Sequence, residues 1–449
     1  MWETSGSQTV STKLQRVAKL AREAPGMVWT TLAHHIDGNF LREAYRRTRK
    51  DGAVGVDEKT AQEYGLDLES NLESLRERLK SGTYQAPPVR RVHIPKGEGI
   101  ATRPIGIPTF EDKVLQRAVA MVLEAVYEQD FRNCSFGFRP GRSAHQALEV
   151  LRQKLMEIKG GWVLEVDIRK FFDTLDPGHL RSFLDQRVRD GVLRRVIDKW
   201  LKAGVLEEGG ISYPELGSPQ GGVISPLLAN IYLHEVLDVW FEDVVKPRLR
   251  GSAFLVRYAD DVVIVFSWEP DARRVIEVLP KRLAKYGLTL HPEKTRLIPF
   301  WRPRFSRGPE APRVQRPGTF DFLGFTHYWG RSRHGVWVVK RKTAKDRFRR
   351  GMKRVAQWCR ENQHQPLAQQ HRGLVLKLRG HYGYFDLPTN GRSLSRFRYG
   401  VLLLWRRWLS RRSQRARLNW KRFAWLLRRF PFPEPPTMPP ILRPHAASP

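Results

Sequence analysis

Cysteine is nearly absent from this chain: Cys134 and Cys359 are the only two in 449 residues. That excludes a disulfide framework and a cysteine-based zinc module, and it suits a reducing interior. Long apolar runs are missing as well. Nowhere do 18 apolar residues follow one another, and the opening MWETSGSQTVSTKLQRV holds no apolar stretch of the signal-peptide kind, so neither secretion nor a membrane span is expected. Acidic residues are scarce beside basic ones, 46 against 79, which leaves a formal net charge of +33. A surplus of that size points to a polyanion, and without a membrane signal nucleic acid is the leading partner.

What the chain does contain is enough apolar residue to fold, 41%, in a length that suggests roughly three domains at about 150 residues each. The charge is concentrated. Between Arg331 and Phe430 stand 28 lysines and arginines against three acids, Asp346, Glu361 and Asp386. Aromatics are interleaved there: Trp358, Tyr382, Tyr384, Phe385, Phe397, Tyr399, Trp405, Trp408, Trp420 and Trp425. In LSRFRYGVLLLWRRWLSRR the residues Leu394, Phe397, Val401, Leu404, Trp405 and Trp408 recur at spacings of three and four, which puts them on one helix face with arginines opposite. Most of the aromatics read as the core of a small helical domain and the arginine face as a phosphate-contacting surface.

Elsewhere the chain mixes helix and strand. Residues 1–60 read as helical and basic, with LREAYRRTRKDG ending in a glycine placed to cap a helix. Short strands broken by proline and glycine are expected from about Tyr84 to Thr109, and helices over Phe110 to Gln129 and Ser143 to Glu157. GWVLEVDI reads as a strand, the apolar positions after Pro226 keep a helical rhythm, and helix and strand alternate to about Gly330. Pro431 to Pro449, with eight prolines in 19 residues, reads as an unstructured tail.

Two adjacent carboxylates, Asp260 and Asp261, interrupt FLVRYADDVVIVF between two runs suited to burial. Ionised groups in such a place need a cation or a solvated cleft. A third, Asp167, ends the strand GWVLEVDI. If these strands lie side by side the three acids meet at one point, a hard-oxygen set of the kind that holds Mg²⁺ together with substrate phosphates. Paired metals in such a site stabilise the attacking and leaving oxygens of phosphoryl transfer. A DD pair alone is more often a solvated turn. It is the flanking strands, the second acid about 90 residues earlier and the basic charge that favour nucleotidyl transfer.

Tyr258-Ala259-Asp260-Asp261 resembles the YxDD box of reverse transcriptases. The blocks LREAYRRTRKDGAVGVD, RPIGIPTFEDKVLQRAV, SFGFRPGRSAHQAL, VDIRKFFDTLD, GSPQGGVISPLLANIYLHEVLD, GLTLHPEKT and FDFLGF, in that order, resemble the group II intron reverse transcriptase/maturase family over nearly the whole chain. The resemblance implies an α+β right-hand polymerase. Its parts would be an N-terminal helical extension (1–60), fingers and a palm whose antiparallel sheet carries the acids (61–330), a basic helical thumb/maturase domain (331–430) and the proline-rich tail (431–449).

The site residues follow from the same resemblance. Asp167, Asp260 and Asp261, with the Ile168 carbonyl as a further ligand, would hold two Mg²⁺ ions, for which Mn²⁺ could substitute. Phe172 matches the bulky gate that excludes a ribose 2′-OH, although Phe171 beside it makes a core role an open alternative. Gln220 and Gly221 would lie against the incoming nucleotide and templating base; Lys96, Arg103 and Lys113 would clamp its triphosphate or remain surface charges. Lys294 matches a lysine proposed to protonate the departing pyrophosphate. Arg139 and Arg142 would contact the template backbone, with Tyr258 and Ala259 also at the template and primer. Phe322, Leu323, Gly324 and Phe325 would seat the primer end. Arg396, Arg398, Arg406, Arg407, Arg411 and Arg412 would bind RNA.

The function implied is RNA-directed DNA synthesis from dNTPs on an RNA template with a DNA primer. Binding of structured intron RNA as a splicing maturase and copying of that RNA into target DNA would accompany it, in a bacterial cytoplasm and close to the nucleoid. No HNH-type endonuclease with cysteine pairs follows in the sequence, so second-strand cleavage is not expected and mobility would need another source of primer. Three alternatives differ in setting or class: a group II-like reverse transcriptase recruited to phage defence, CRISPR spacer acquisition or DNA repair; an RNA-binding splicing factor; and an RNA-dependent RNA polymerase, against which Phe172 argues.

Overall fold

The computed structural model describes residues 3–95, 102–207, 210–212, 221–303, 317–412 and 418–436. Lys96, Gln220 and the tail from residue 437 onward lie outside the described residues. The chain divides into two compact units, residues 1–151 with 162–297, and residues 152–161 with 298–449. The fold is a mixture of helices and largely antiparallel sheets.

The first unit opens with the helices α1 (Glu3–Glu23), α2 (Gly38–Arg47), α3 (Ala61–Leu66) and α4 (Leu68–Ser81). Thr60 and Glu63 form a reciprocal capping box that starts α3. The glycine expected to cap LREAYRRTRKDG does not do so. Helix α2 stops at Arg47, where the extended Thr48 turns its hydroxyl onto the Ala44 carbonyl at 2.7 Å and Lys50 donates to the carbonyl of Tyr45. Next come β1 (Val89–Pro95), β2 (Thr102–Ile107), α5 (Phe110–Tyr127), α6 (Ala144–Glu157) and β3 (Gly160–Asp167), as the sequence pattern predicts. Helix α5 begins where Thr109 accepts the Asp112 amide at 3.2 Å, and most of its length is buried.

After β3 stand α7 (Phe171–Thr174), α8 (Pro177–Asp185), α9 (Gly191–Leu201), β4 (Val205–Glu207), β5 (Gly210–Ser212) and α10 (Ser225–Leu233). Helix α10 runs on into two π-helical stretches, His234–Asp238 and Trp240–Val245, which hydropathy alone does not distinguish from ordinary helix. The hairpin β6 (Ala253–Tyr258) and β7 (Asp261–Phe266) and the helix α11 (Glu269–Ala284) complete the unit, and the strand β8 (Arg296–Trp301) runs from its last residues into the second.

Two sheets organise these elements. One has the order β2-β1-β4-β5, with β1 and β4 parallel through Val89 opposite Val205; the other has the order β6-β7-β3-β8. In the second sheet β7 is an inner strand, and Val262 to Phe266 are all at most 2% exposed. A strand covered on both faces needs an unbroken apolar run rather than an alternating one, which is why DVVIVF reads as it does.

The second unit holds β9 (Phe320–Phe322), β10 (Phe325–Arg331) and β11 (Trp337–Thr343) in the antiparallel order β11-β10-β9. The helices α12 (Lys345–Glu361), α13 (Leu367–Phe385), α14 (Gly391–Leu409) and α15 (Trp420–Arg429) follow. Leu394, Phe397, Val401 and Trp405 of α14 pack with Leu374, Leu378 and Phe423, so the face read from spacing is the buried one. The aromatics divide: Tyr382, Phe397 and Trp405 are core, Trp358, Phe385 and Trp408 are half-buried, and Tyr384, Tyr399, Trp420 and Trp425 are exposed rather than core. Trp420 lies under the guanidinium of Arg406, 3.8 Å from its centroid, a use of an aromatic ring that burial patterning does not foresee.

Candidate active site

The acidic positions meet through strand register. In the pairing of β3 with β7, Asp167 stands opposite Asp261; in the pairing of β6 with β7, Tyr258 stands opposite Asp261, leaving Ala259 and Asp260 as the two-residue turn. Directly opposed residues of an antiparallel pair carry their Cβ atoms about 4.5–5.5 Å apart, so Asp167 and Asp261 project from one small patch and Asp260 from the turn beside it. Asp261 is exposed and Asp260 half-buried. The Asp167 side chain is 36% exposed and accepts a hydrogen bond from the Lys294 ammonium at 3.3 Å. The backbone beside it is fixed as well: His291 donates to the Asp167 carbonyl at 2.8 Å, and Arg169 to the Thr289 carbonyl at 2.8 Å.

The meeting of all three carboxylates at one point, expected from the sequence, is not reproduced as a finished cage. Among the described residues no group of three or more His, Cys, Asp or Glu side chains is arranged to hold a metal ion. The donor set still fits a hard cation of the magnesium kind. Such ions are held by one or two carboxylates and completed by water and substrate phosphates, and a cross-strand carboxylate pair with a third carboxylate on the adjoining turn supplies that many oxygens.

Three non-glycine residues with left-handed backbone surround the acids: Ala259 (φ 56°) in the turn, Lys170 (φ 47°) after β3, and Phe138 (φ 55°), whose ring lies 6.3 Å from that of Tyr258. Such conformations persist only where the surroundings impose them, and they gather at functional sites. Gly137 is part of that surrounding. A Cβ there would meet the carbonyl carbon of Tyr258 at 2.9 Å and the Ala259 nitrogen closer still, so only glycine lets the SFGF segment press against the turn.

Of the neighbouring aromatics, Phe171 is core at 2% exposure while Phe172 is half-buried against it, the rings 5.3 Å apart. The two adjacent phenylalanines thus have different environments, and Phe172 is the accessible one. Ile168 is buried and bridges to Leu290. Gly221 (φ 118°) lies against β2: a Cβ would stand 2.6 Å from Ile105 Cγ2 and closer to the Gly106 carbonyl. The loop is tied down further along, where the Ile224 amide donates to Gln116 Oε1 at 3.4 Å. Gln116 Nε2 in turn donates to the buried Asp112 at 3.2 Å. Asp112 also accepts from Tyr84 and from Trp200 Nε1, and burial pushes its carboxyl up to about 6. Arg103 is exposed on β2. Lys113 is half-buried, its ammonium donates to the Ala53 carbonyl at 2.6 Å, and desolvation lowers its pKa.

Two expectations are corrected by burial. Arg139 does not face outward: its side chain is 3% exposed, its fork grips Glu128 at 3.0–3.1 Å, and its remaining nitrogen donates to the carbonyls of Arg132 and Ser135 at 2.8 Å. Buried and bonded in this way, it presents no surface to a template. Arg142 keeps a half-exposed position, bonded to Asn133 at 2.9 Å. In the second unit, Phe322 and Phe325 are core residues at 4% and 0% exposure, not a surface for a primer. Only Leu323 (φ 48°) and Gly324 (φ 80°) stand at the hairpin turn between them.

The arginines of the basic segment differ in the same way. Arg396, Arg407 and Arg411 are exposed. Arg398 pairs with Glu434 at 2.6 Å, Arg406 stacks on Trp420, and Arg412 donates to the Gln363 carbonyl at 2.5 Å. Each of those three serves its own unit as well as any ligand.

Sequence reasoning missed a buried set beneath the acidic turn. Arg257, fully buried, grips Asp238 through two hydrogen bonds of 2.8 and 2.6 Å and reaches Asn230 Oδ1 at 2.9 Å and the Ala259 carbonyl at 3.1 Å. The available signal was the lone cation at the inner end of FLVRY together with an Asp at the end of a helical apolar run.

A family profile described as reverse transcriptase (RNA-dependent DNA polymerase) matches residues 94–327. The chain is 38% identical over 229 residues to the group II intron-encoded protein LtrA of Lactococcus lactis subsp. cremoris, covering 50% of this chain and 37% of that protein. It is 38% identical over 259 residues to protein YkfC of Escherichia coli, covering 50% of this chain and 67% of that protein. The nuclear intron maturase 2, mitochondrial, of Arabidopsis thaliana is 33% identical over 181 residues, covering 32% of this chain and 24% of that protein. The chain thus spans between about a quarter and two thirds of these relatives' lengths. The profile covers more than half of the chain and includes Asp167 and the Tyr258–Asp261 turn: the chain belongs to the reverse transcriptase (RNA-dependent DNA polymerase) family, with group II intron-encoded proteins among its relatives.

Proposed function

We propose that the chain is an RNA-directed DNA polymerase which also binds its group II intron RNA as a splicing maturase and copies it during intron mobility. The observation that carries this reading is the register of β3, β6 and β7, which stands Asp167 opposite Asp261 beside the Asp260 turn. In this reading the β2-β1-β4-β5 sheet belongs to the fingers, the β6-β7-β3-β8 sheet to the palm, and residues 331–430 to a basic thumb/maturase domain, with 1–60 as a helical extension.

The reaction is attack of a primer 3′-OH on the α-phosphate of a dNTP, which forms the new phosphodiester and releases pyrophosphate. Two Mg²⁺ ions, or Mn²⁺ in their place, held by Asp167, Asp260 and Asp261 with the Ile168 carbonyl, would stabilise charge on the attacking and leaving oxygens. The Asp167 carboxylate also holds the Lys294 ammonium, leaving a cation and a proton donor for the departing pyrophosphate. The half-buried ring of Phe172 is the surface that a ribose 2′-OH would strike.

Arg103 and Lys113, with Lys96, clamp the triphosphate, and the close approach of Gly221 to β2 brings bare backbone to the nucleotide beside Gln220. Arg142, Tyr258 and Ala259 contact template and primer, and the Leu323–Gly324 turn touches the primer end. The exposed Arg396, Arg407 and Arg411, backed by Arg398, Arg406 and Arg412, meet RNA phosphates, since structured RNA is read largely through shape and backbone. Its partners are then intron RNA, primer-template, dNTPs and target DNA, on nucleic acid in the cytoplasm. Among the described residues no helix is long and apolar enough to cross a membrane.

Primer extension on an RNA template with dNTPs and Mg²⁺ tests this. The wild type extends the primer; Asp260→Ala abolishes extension and leaves RNA affinity within about twofold, since it removes no phosphate contact. Extension by the variant at wild-type rate would overturn the assignment.

A further inference from the structure

We infer that Arg257 is a positioning residue for the proposed polymerase site: its buried guanidinium fixes the acidic turn through the Ala259 carbonyl, with Asp238 and Asn230 as its anchors. The inference rests on the polymerase reading above.

Three segments converge on this one side chain. The guanidinium fork is seated on Asp238, which is 0% exposed and lies in the first π-helical stretch. One nitrogen, Nη1, bridges Asn230 Oδ1 at 2.9 Å and the Ala259 carbonyl at 3.1 Å. Asn230, itself 1% exposed, turns its amide nitrogen onto the Gly137 carbonyl at 2.7 Å. Gly137 is the residue pressed against Ala259. The backbone closes the same circuit: Arg257 donates its amide to the Cys134 carbonyl at 2.8 Å, and Phe136 donates to the Arg257 carbonyl at 2.9 Å. The left-handed Ala259 is therefore held from below by a charge-assisted donor and from the side by the turn that carries Gly137.

Stability alone does not call for this arrangement. A buried ion pair is often matched or bettered by apolar residues of similar volume, so Arg257 and Asp238 are poor choices if packing were the only requirement. An apolar side chain cannot donate to the Ala259 carbonyl. A lysine supplies the charge but not a planar fork that reaches Asp238, Asn230 and Ala259 together. The arrangement suits a turn whose carboxylates must stay in one place while cations and substrates come and go.

The test uses the full chain, with Arg257→Lys and, as a milder variant, Asn230→Ala, which leaves the Arg257–Asp238 pair intact. Primer extension is followed against Mg²⁺ concentration, amide hydrogen exchange across residues 258–262 is measured without metal, and melting is recorded. The expected result for folded Arg257→Lys is a fall in kcat of about tenfold to a hundredfold, a higher half-saturating Mg²⁺ concentration and faster exchange in the turn. Asn230→Ala moves all three in the same direction by less, and it carries the test if Arg257→Lys does not fold. Lower melting with unchanged kcat per folded molecule, unchanged Mg²⁺ dependence and unchanged exchange in the turn would show a structural role and overturn the inference. An inactive wild type would instead overturn the polymerase reading, and the inference with it.

Discussion

Single side chains in this protein take their meaning from what surrounds them. Phe171 and Phe172 are chemically identical neighbours, yet one is core and the other half-exposed beside the acids. Replacing Phe172 by Ala should raise incorporation of ribonucleotides relative to deoxynucleotides by roughly 10- to 200-fold, the range that a hydrophobic contact discriminates. Competing dNTP and NTP in primer extension measures it, and an unchanged ratio would return Phe172 to an ordinary packing role.

His327 shows the cost of burial. It is fully buried and stacked on Phe320 at 4.6 Å. Burial, with the Arg341 charge adding to it, pushes its pKa down to about 3. A group whose pKa is depressed by folding contributes stability above its ordinary value near 6.5, and that stability is lost as the pH falls toward 3. His327→Phe should therefore gain stability relative to the wild type by about 2 kcal/mol more at pH 5 than at pH 7. Urea titrations at the two pH values check the sign; a gap that narrows in acid would contradict it.

The acids were legible because carboxylates interrupt an apolar strand run, and that is a local signal. Arg139 was misread because its partner Glu128 lies 11 residues away, so GFRPGRS looks like a solvated loop until the chain folds. The buried set under the turn was missed for the same reason. Arg257 and Asp238 are 19 residues apart, so a lone cation in one apolar run and a lone acid in another do not show that they pair until the chain folds.

At the level of elements, the strands and helices with long regular patterns were legible. Strand β3, the β6–β7 hairpin, α5, α6 and α14 fall where periodicity puts them. Patterns do not encode hydrogen-bond phase, so the π-helical stretches after α10 read as plain helix. The parallel pairing of β1 with β4 joins segments more than a hundred residues apart, which no local window contains. Contact between elements also makes Gly137 informative. Gly137→Ala places a methyl against the backbone of the Tyr258–Ala259 peptide and must displace one segment or the other. A displacement of about 1 Å at a reacting centre costs roughly a hundredfold in rate, so extension should fall by that order. Rates per folded molecule test it, and a rate within twofold of wild type would show that the turn tolerates the shift.

For the whole molecule the governing quantity is charge. With 28 basic residues between Arg331 and Phe430, binding to RNA should weaken steeply with salt, by about 0.7–0.9 in log affinity per phosphate contact for each decade. The arginines are not equivalent in this respect. Arg407→Gln, at an exposed position, should reduce the salt slope by about one contact and leave stability unchanged. Arg412→Gln removes a donor to the Gln363 and Gln365 carbonyls and should lower the melting temperature as well. Filter binding over a salt series, with melts of the same preparations, separates the two.

The inner position of β7 carries a consequence for how such a chain can change. Side chains along β3 and β7 can be exchanged for others of similar bulk while Asp167 still faces Asp261, because the acids are aligned by residue count rather than by particular neighbours. Removing one residue from either strand would send the carboxylate to the opposite face even though the strand stayed apolar in composition. Drift in composition is cheap along these strands, and drift in length is not.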